Sequence, residues 1–494
     1  MRYYSTRDHG DLVTASQAII RGLAPDGGLY IPESLPVLTA EDLRALCVMD
    51  YRARAVDIMG RFLDEFTREE LEGFAAGAYA DNFDDAACAA PLKLLDSGTG
   101  VLELWHGPTC AFKDMALQML PRLLTASLRK NGEQRTVCIL VATSGDTGKA
   151  ALEGFADVEG TRILVFYPEG GVSDVQRLQM VSQTGGNVFV SAVKGNFDDA
   201  QTGVKRIFSD RDFAAELAER GYFLSSANSI NWGRLLPQIV YYVSAYCDMV
   251  NAGSLKPGET LNFCVPTGNF GNILAGWYAK HMGLPVGRLI CASNENNVLT
   301  DFIATGTYNK ERPFHLTASP SMDILVSSNL ERLLAHLCGS GELLSDWMAA
   351  LSGRGSYTVT EAVRQAVQAE FSGFWCDDAA AKAEIARLWR EKHYLMDTHT
   401  AVGAVAMARY RAQSGDRRPC VLVSTASPYK FCNSVLDALG EGSDAPGTVL
   451  LERLSQVTGT PVPRPLAGLA QRQERFTLCC GKADMTRVVS DFLR

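Results

Sequence analysis

The stretch "TVCILVATSGDTGKAALEGFA" (residues 136–156) decides the fold class. Its first eight residues are mostly β-branched and apolar, with no alternation of polar and apolar positions. They end in a knot of small polar residues and pass directly into a helical pattern. A short, continuous apolar run of this kind is what a strand buried on both faces looks like. The pattern recurs outward along the chain, in "TRILVFYP" (161–168), "NVFVSAV" (187–193), "LNFCVPT" (261–267), "GRLICAS" (287–293) and "CVLVSTAS" (420–427). Helical stretches such as "WGRLLPQIVYYVSAYCDMV" and "GNILAGWYAKHMG" lie between them. Strand alternating with helix predicts an α/β protein with two doubly wound, mostly parallel sheets. Ligands bind such sheets beyond the carboxyl ends of the strands, so the loops that follow the strands are where chemistry is expected.

The chain has 494 residues, enough for roughly three domains. Residues 1–92 show no strand–helix–strand rhythm and read as a separate helix-rich module. Two α/β domains are expected at 93–260 and 261–440, with a helical insertion near 297–398, followed by a C-terminal segment, 441–494. A net charge of −9, spread along the chain, argues against nucleic-acid and anionic-membrane partners. Thirteen cysteines occur without a CxxC pair, and the seven histidines show no ligand spacing, so neither zinc nor a disulfide framework is expected. Many free thiols fit a reducing compartment, and the start "MRYYSTRDHGD" lacks the apolar core of a signal peptide, so a cytoplasmic location is expected. Apolar runs are too short to span a bilayer.

Chemistry is concentrated at a few places. In "WHGPTCAFKDMALQML" (105–120), Lys113 stands among apolar neighbours at the start of a helix. Snorkelling to solvent is one reading of such a lysine. The other is that burial lowers its pKa and frees the amine to form an imine with a carbonyl cofactor. The loop "TSGDTG" places Thr143, Ser144, Asp146 and Thr147 around a glycine at a helix start, either as ordinary caps or as a cup for a carboxylate or phosphate. In "PTGNFGN", Gly268, Asn269, Phe270, Gly271 and Asn272 open another helix without the spacing of a nucleotide loop, and there anion binding is the favoured reading. "STASPYKF" (424–431), taken alone, reads as a helix cap. "SANSINWGR" combines Asn228, Ser229 and Arg234, either an anion site or a surface helix. A lysine suited to imine formation together with a phosphate cup not shaped for nucleotides points to pyridoxal 5'-phosphate.

Together with "YYSTRDHG", "GLAPDGGLYIP", "HGPTCAFKD", "GNFDDAQ" and "SPSMDILVSSNLER", these motifs resemble, in order, those of the threonine synthase family. These are fold-type II pyridoxal-phosphate enzymes with a tryptophan-synthase-β-like fold, and the length matches the longer branch of the family. The resemblance implies that Lys113 forms the imine and moves the protons, and that Gly268 to Asn272 hold the cofactor phosphate. It implies Thr425 at the pyridine nitrogen, with Asp146 near the cofactor hydroxyl. Thr143, Ser144, Asp146 and Thr147 would hold a substrate carboxylate, while Asn228, Ser229 and Arg234 would hold its phosphate. The implied reaction converts O-phospho-L-homoserine and water to L-threonine and phosphate, and the implied enzyme is a monomer or homodimer. Two positions depart from common family usage, Ser427 and Lys149. The rival reading on the same scaffold is a phospho-lyase that releases 2-oxobutanoate, ammonia and phosphate.

Overall fold

A computed structural model describes residues 1–494, the side chain of Asp198 excepted, and two sheets form its core. The five-stranded sheet runs in the order Cys479–Cys480, Val188–Val193, Thr161–Pro168, Thr136–Ala142, Tyr222–Ser225, with every pair parallel. The six-stranded sheet runs Phe371–Trp375, Val286–Ser293, Leu261–Pro266, Cys420–Ser424, Thr99–Glu103, Leu92–Asp96, and only its last pair is antiparallel. All six strands expected from the sequence are present. Val137 through Val141 have no solvent exposure, because helices cover both faces of the sheet.

The sheets cut across the expected domain limits. The hairpin Leu92–Asp96 and Thr99–Glu103 falls in the 93–260 stretch for the most part, yet it pairs with Cys420–Ser424 in the second sheet. Cys479–Cys480, from the C-terminal segment, closes the first sheet against Val188–Val193. Nor is the 297–398 stretch purely a helical insertion, since Phe371–Trp375 extends the second sheet beside Val286–Ser293. That strand follows the helix Glu361–Glu370 with no breaker between them, and "FSGFW" has a glycine at its centre, so neither boundary nor propensity reveals it. The first module is likewise not helix alone, because Arg2–Ser5, Val13–Thr14 and Tyr30–Pro32 form a small antiparallel sheet.

The helix Trp232–Asn251 occupies the middle of the molecule, with 17 of its residues buried. It has no polar stripe because it has no solvent side. The N-terminal module is clamped to it. Arg54 Nη1 lies 2.7 Å from Asp248 Oδ1, and the rings of Tyr3 and Phe62 pack on Trp232 at 5.4 and 5.7 Å. Among the described residues no helix is long and apolar enough to cross a membrane.

The helix Asp146–Phe155 lies so close to the short helix Asp114–Leu117 that a Cβ on Gly154 would overlap the Leu117 carbonyl oxygen. Gly154→Ala must therefore push the two helices apart. We expect a loss of about 1–3 kcal/mol, read as a lower denaturant midpoint at unchanged slope.

Candidate active site

The loops at the carboxyl ends of the central strands meet in one place. The chain between Glu103 and Lys113 is zipped to the end of the strand Cys420–Ser424. Leu104 N–H donates to the Ser424 carbonyl (3.0 Å), Phe112 N–H to that of Thr425 (2.8 Å), and Ser427 N–H to that of Cys110 (3.0 Å). Thr425 is thereby bonded to Phe112, the residue that precedes Lys113. Ser427, fully buried, caps the short turn Pro428–Phe431 by accepting from the Tyr429 amide. A hydroxyl is a suitable cap there, which accounts for its position on local grounds.

Lys113 is buried and stands at the N-terminal boundary of Asp114–Leu117. Its Nζ is 3.6 Å from Asp146 Oδ2 and 3.4 Å from Ser321 Oγ. Burial pulls the amine down to about 8; Asp146 opposes the fall, while Arg234 and Lys430 add to it. Of the two readings of this lysine, snorkelling is excluded, because the side chain points into the protein. On the other side of Asp146, Lys430 Nζ lies 2.7 Å from Oδ1 and donates to the Thr109 carbonyl at 2.9 Å. Gln176 Nε2 donates to the same Oδ1 at 2.9 Å. Burial by itself would raise the Asp146 carboxyl, but Lys430 and then Lys113 more than offset it and hold it well below the usual range. Asp146 is therefore an anion. Its side chain cannot grip a substrate carboxylate, and only its backbone N–H can serve in such a cup.

The rest of that loop divides by role. Thr143 Oγ1 accepts from the amides of Gly145 and Gly148, both at 2.9 Å, so it builds the turn. Ser144 and Thr147 remain half-buried at the helix start, where Gly145, at φ +132°, offers no side-chain cap. Lys149 points away, ion-paired with Glu153 (2.6 Å) and hydrogen-bonded to Gln183, so this departure from family usage stays clear of the cluster.

At Gly268 to Asn272, where the sequence reading expects a phosphate cup, the structure has an uncapped helix start. Phe270 sits in the left-handed region at φ +63° and gives no side-chain cap to the helix Gly271–His281. The first-turn amides of that helix have no intrahelical acceptors, so they are free to meet an anion at the positive end of the dipole. Asn272 Oδ1 accepts from Tyr241 (2.6 Å) and Tyr242 (2.8 Å), while its buried Nδ2 has no partner among the described residues. A Cβ on Gly268 would lie 2.8 Å from the Ser321 carbonyl oxygen, so no side chain fits there. Asn329 ties this loop to "SANSINWGR": its amide donates to the Asn269 carbonyl (3.1 Å) and its Nδ2 to Ser229 Oγ (3.0 Å). Asn228 is half-buried in the same loop.

Arg234 is not a surface residue. It is buried in the central helix, its Nη1 donates to the Ala227 carbonyl (2.8 Å), and among the described residues no carboxylate pairs with it. Burial pulls even this guanidinium down to about 10. A buried cation with most of its donors unspent is suited to an anionic ligand.

Residues that the sequence reading did not single out complete the cluster: Lys430, Gln176, Ser321 and Asn329. Lys430 lay within "STASPYKF", and Ser321 and Asn329 within "SPSMDILVSSNLER". The motifs were visible, but nothing in their spacing shows which side chains turn toward Asp146. Replacing Lys430 by Met leaves Asp146 buried beside one more distant amine, and we expect a loss of about 3 kcal/mol. Adding Asp146→Asn should recover part of it. Denaturant unfolding of the single and double variants measures that coupling.

Three family models match the chain: "Threonine synthase N terminus" over residues 2–79, "Pyridoxal-phosphate dependent enzyme" over 101–426, and "Threonine synthase, C-terminal" over 400–490. Threonine synthase from Pseudomonas aeruginosa is 39% identical over 480 residues, covering 97% of this chain and 95% of that protein. Human threonine synthase-like 1 is 41% identical over 438 residues, covering 86% of this chain, but the match spans only 58% of the human protein's length. The crystal structure of pyridoxal-phosphate-bound threonine synthase from Brucella melitensis superposes with a TM-score of 0.88 at 37% identity, covering both chains completely. The match runs from the N-terminal module to the C-terminal segment, and the chain belongs to the threonine synthase family of pyridoxal-phosphate-dependent enzymes.

Proposed function

We propose that this chain is a pyridoxal-phosphate-dependent threonine synthase, converting O-phospho-L-homoserine and water to L-threonine and inorganic phosphate. The observation that carries the reading is Lys113, a buried amine held near a titratable range between an ionised aspartate and two further cations. The residues present fit the cofactor. The uncapped first turn of Gly271–His281, with the unpartnered Asn272 Nδ2 beside it, supports Gly268 to Asn272 as the phosphate cup. Thr425, at the end of the strand Cys420–Ser424, stands where a neutral hydroxyl can meet the pyridine nitrogen. When bound, pyridoxal phosphate supplies the electron sink that acidifies the carbons next to the substrate amine.

The chain's own residues divide the remaining work. Lys113 Nζ takes and returns protons at neighbouring carbons, and one mobile amine suffices because those carbons lie side by side. Arg234, with Asn228 and Ser229, holds the substrate phosphate and stabilises it as it leaves from the γ-carbon. Ser144, Thr147 and the amides at the start of Asp146–Phe155 receive the substrate carboxylate, with Thr143 shaping their turn. Asp146 keeps Lys113 oriented. In balance, the γ-carbon loses phosphate and gains a proton, while the β-carbon gives up a proton and gains the hydroxyl of water. Thirteen cysteines, all free, support a cytoplasmic setting.

The deciding experiment incubates the protein with O-phospho-L-homoserine and quantifies phosphate, threonine and 2-oxobutanoate together. Phosphate matched by threonine is expected, and its loss in Lys113→Ala ties it to the lysine. Phosphate matched by 2-oxobutanoate would make the chain a phospho-lyase instead. Arg234→Ala should raise KM for the phosphorylated substrate on the order of a hundredfold, the worth of a charge-assisted phosphate contact. Cofactor affinity should change far less, and equal losses in both would remove Arg234 from the substrate site.

A further inference from the structure

A polar chain runs behind Lys113. Asp397 is fully buried and caps the helix Thr398–Ser414, accepting from the amides of His399 (3.0 Å) and Thr400 (3.1 Å). Its Oδ2 also lies 2.7 Å from His399 Nδ1. The other ring nitrogen, Nε2, is 3.1 Å from the backbone N–H of Ser321, a group that can only donate. Nε2 must therefore carry the lone pair, which places the ring proton on Nδ1, facing Asp397. The histidine is neutral and confined to one tautomer, and its ring packs against Phe431 at 4.8 Å.

Ser321 lies in the short turn Pro320–Met322, which is fixed from the opposite side as well. Asp323 accepts from Asn294 (2.7 Å), Asn296 (3.1 Å) and the Thr317 hydroxyl (2.7 Å). Thr398 Oγ1 donates to the Ala318 carbonyl at 2.7 Å. With its backbone held on both sides, the turn presents Ser321 Oγ at 3.4 Å from Lys113 Nζ and 3.4 Å from Asp146 Oδ2.

We propose that Asp397, His399 and Ser321 form a positioning relay for Lys113, in which the serine hydroxyl partners the lysine nitrogen in both of its protonation states. The inference rests on the reading of Lys113 as the proton-carrying amine. An ammonium needs an acceptor, and Ser321 Oγ accepts from Nζ while donating to Asp146. A neutral amine offers a lone pair, and the same hydroxyl can rotate its proton from Asp146 to Nζ with no heavy atom moving. A carboxylate can only accept, so it cannot meet the lone pair of the free amine, and an amide N–H can only donate, so it cannot serve the ammonium. An amine that gives and takes protons in turn thus stays aimed at one point throughout. The charged groups facing Nζ are Asp146, Lys430 and Arg234, and those facing His399 are Asp397 and Asp323.

The test uses the full chain freed of cofactor. Pyridoxal phosphate is added at a series of pH values, and growth of its protein-bound visible band is timed. Only the unprotonated amine reacts, so the wild-type rate should rise with pH through about 8. In Ser321→Ala the ammonium loses an acceptor, the stronger of the two contacts. The midpoint should then move down by on the order of half a unit, and steady-state kcat should fall on the order of tenfold with KM little changed. His399→Phe keeps the ring volume but not the acceptor and should shift the midpoint the same way. His399→Gln, whose amide oxygen can take the Nε2 role, should restore it. Because His399 acts through Ser321, the Ser321→Ala/His399→Phe pair should match Ser321→Ala alone. A normal band with an unmoved midpoint in Ser321→Ala, or effects that simply multiply in the pair, would overturn the relay while leaving Lys113 in place. No band in the wild-type chain would remove the reading of Lys113, and this inference with it.

Discussion

Asp146 sits between two lysine side chains in a part of the protein largely shielded from water. A lone carboxylate there would be protonated, and a lone ammonium would lose its proton, because burial penalises each charge separately. The three groups make one another possible, but not equally. Lys430, at 2.7 Å, has the closer hold on the carboxylate, and a backbone carbonyl takes another of its protons. Lys113, at 3.6 Å, has the weaker compensation. The amine left partly uncompensated is the one that burial pulls down to about 8, so a difference in distance separates the tightly held lysine from the one proposed to carry protons. The same contact joins the sheets: Asp146 follows an inner strand of the first, Thr136–Ala142, and Lys430 follows a central strand of the second, Cys420–Ser424.

The charge balance of the site runs against that of the chain. The protein carries a net −9, yet Lys113 and Lys430 flank a single buried aspartate, and Arg234 is buried without a carboxylate partner among the described residues. Two helices add the positive ends of their dipoles without capping side chains. A cluster so provisioned suits a ligand bearing several negative charges, as a cofactor phosphate together with a phosphorylated amino acid would be. The cations need no steering field over the whole surface, because they act at contact distance inside a low-dielectric pocket.

The fold brings distant stretches to this point through packing. The central helix carries Arg234 and is buried on all sides, so its position is set by the N-terminal module clamped along it as well as by the sheets. The stretch between residues 297 and 398 is equally part of the site. It adds an edge strand to the second sheet and supplies the Ser321 turn and Asn329, which pack against the loop Gly268 to Asn272.

The sequence by itself determined what local patterning can carry. The apolar runs fixed six of the buried strands, and the small polar residues after them marked the loops at the strands' carboxyl ends. An apolar-flanked lysine and a glycine-rich helix start named the cofactor's chemistry, and the ordered motifs named the family. Short strands such as Phe371–Trp375 and Cys479–Cys480 were not legible, because their stability comes from a neighbouring backbone and not from their own composition. The role of each polar side chain was decided only in three dimensions. Thr143 and Ser144 are adjacent and chemically alike, yet one is spent inside its turn and the other is left half-buried at the helix start. Lys149 and Lys430 each follow a strand end within a motif, yet only Lys430 turns toward Asp146. His399 carried no signal at all, since its partners lie on a turn 78 residues away and on its own helix cap. Hydrogen bonds and ion pairs depend on direction and distance through space, and those are properties of the packed chain that no spacing along the sequence encodes.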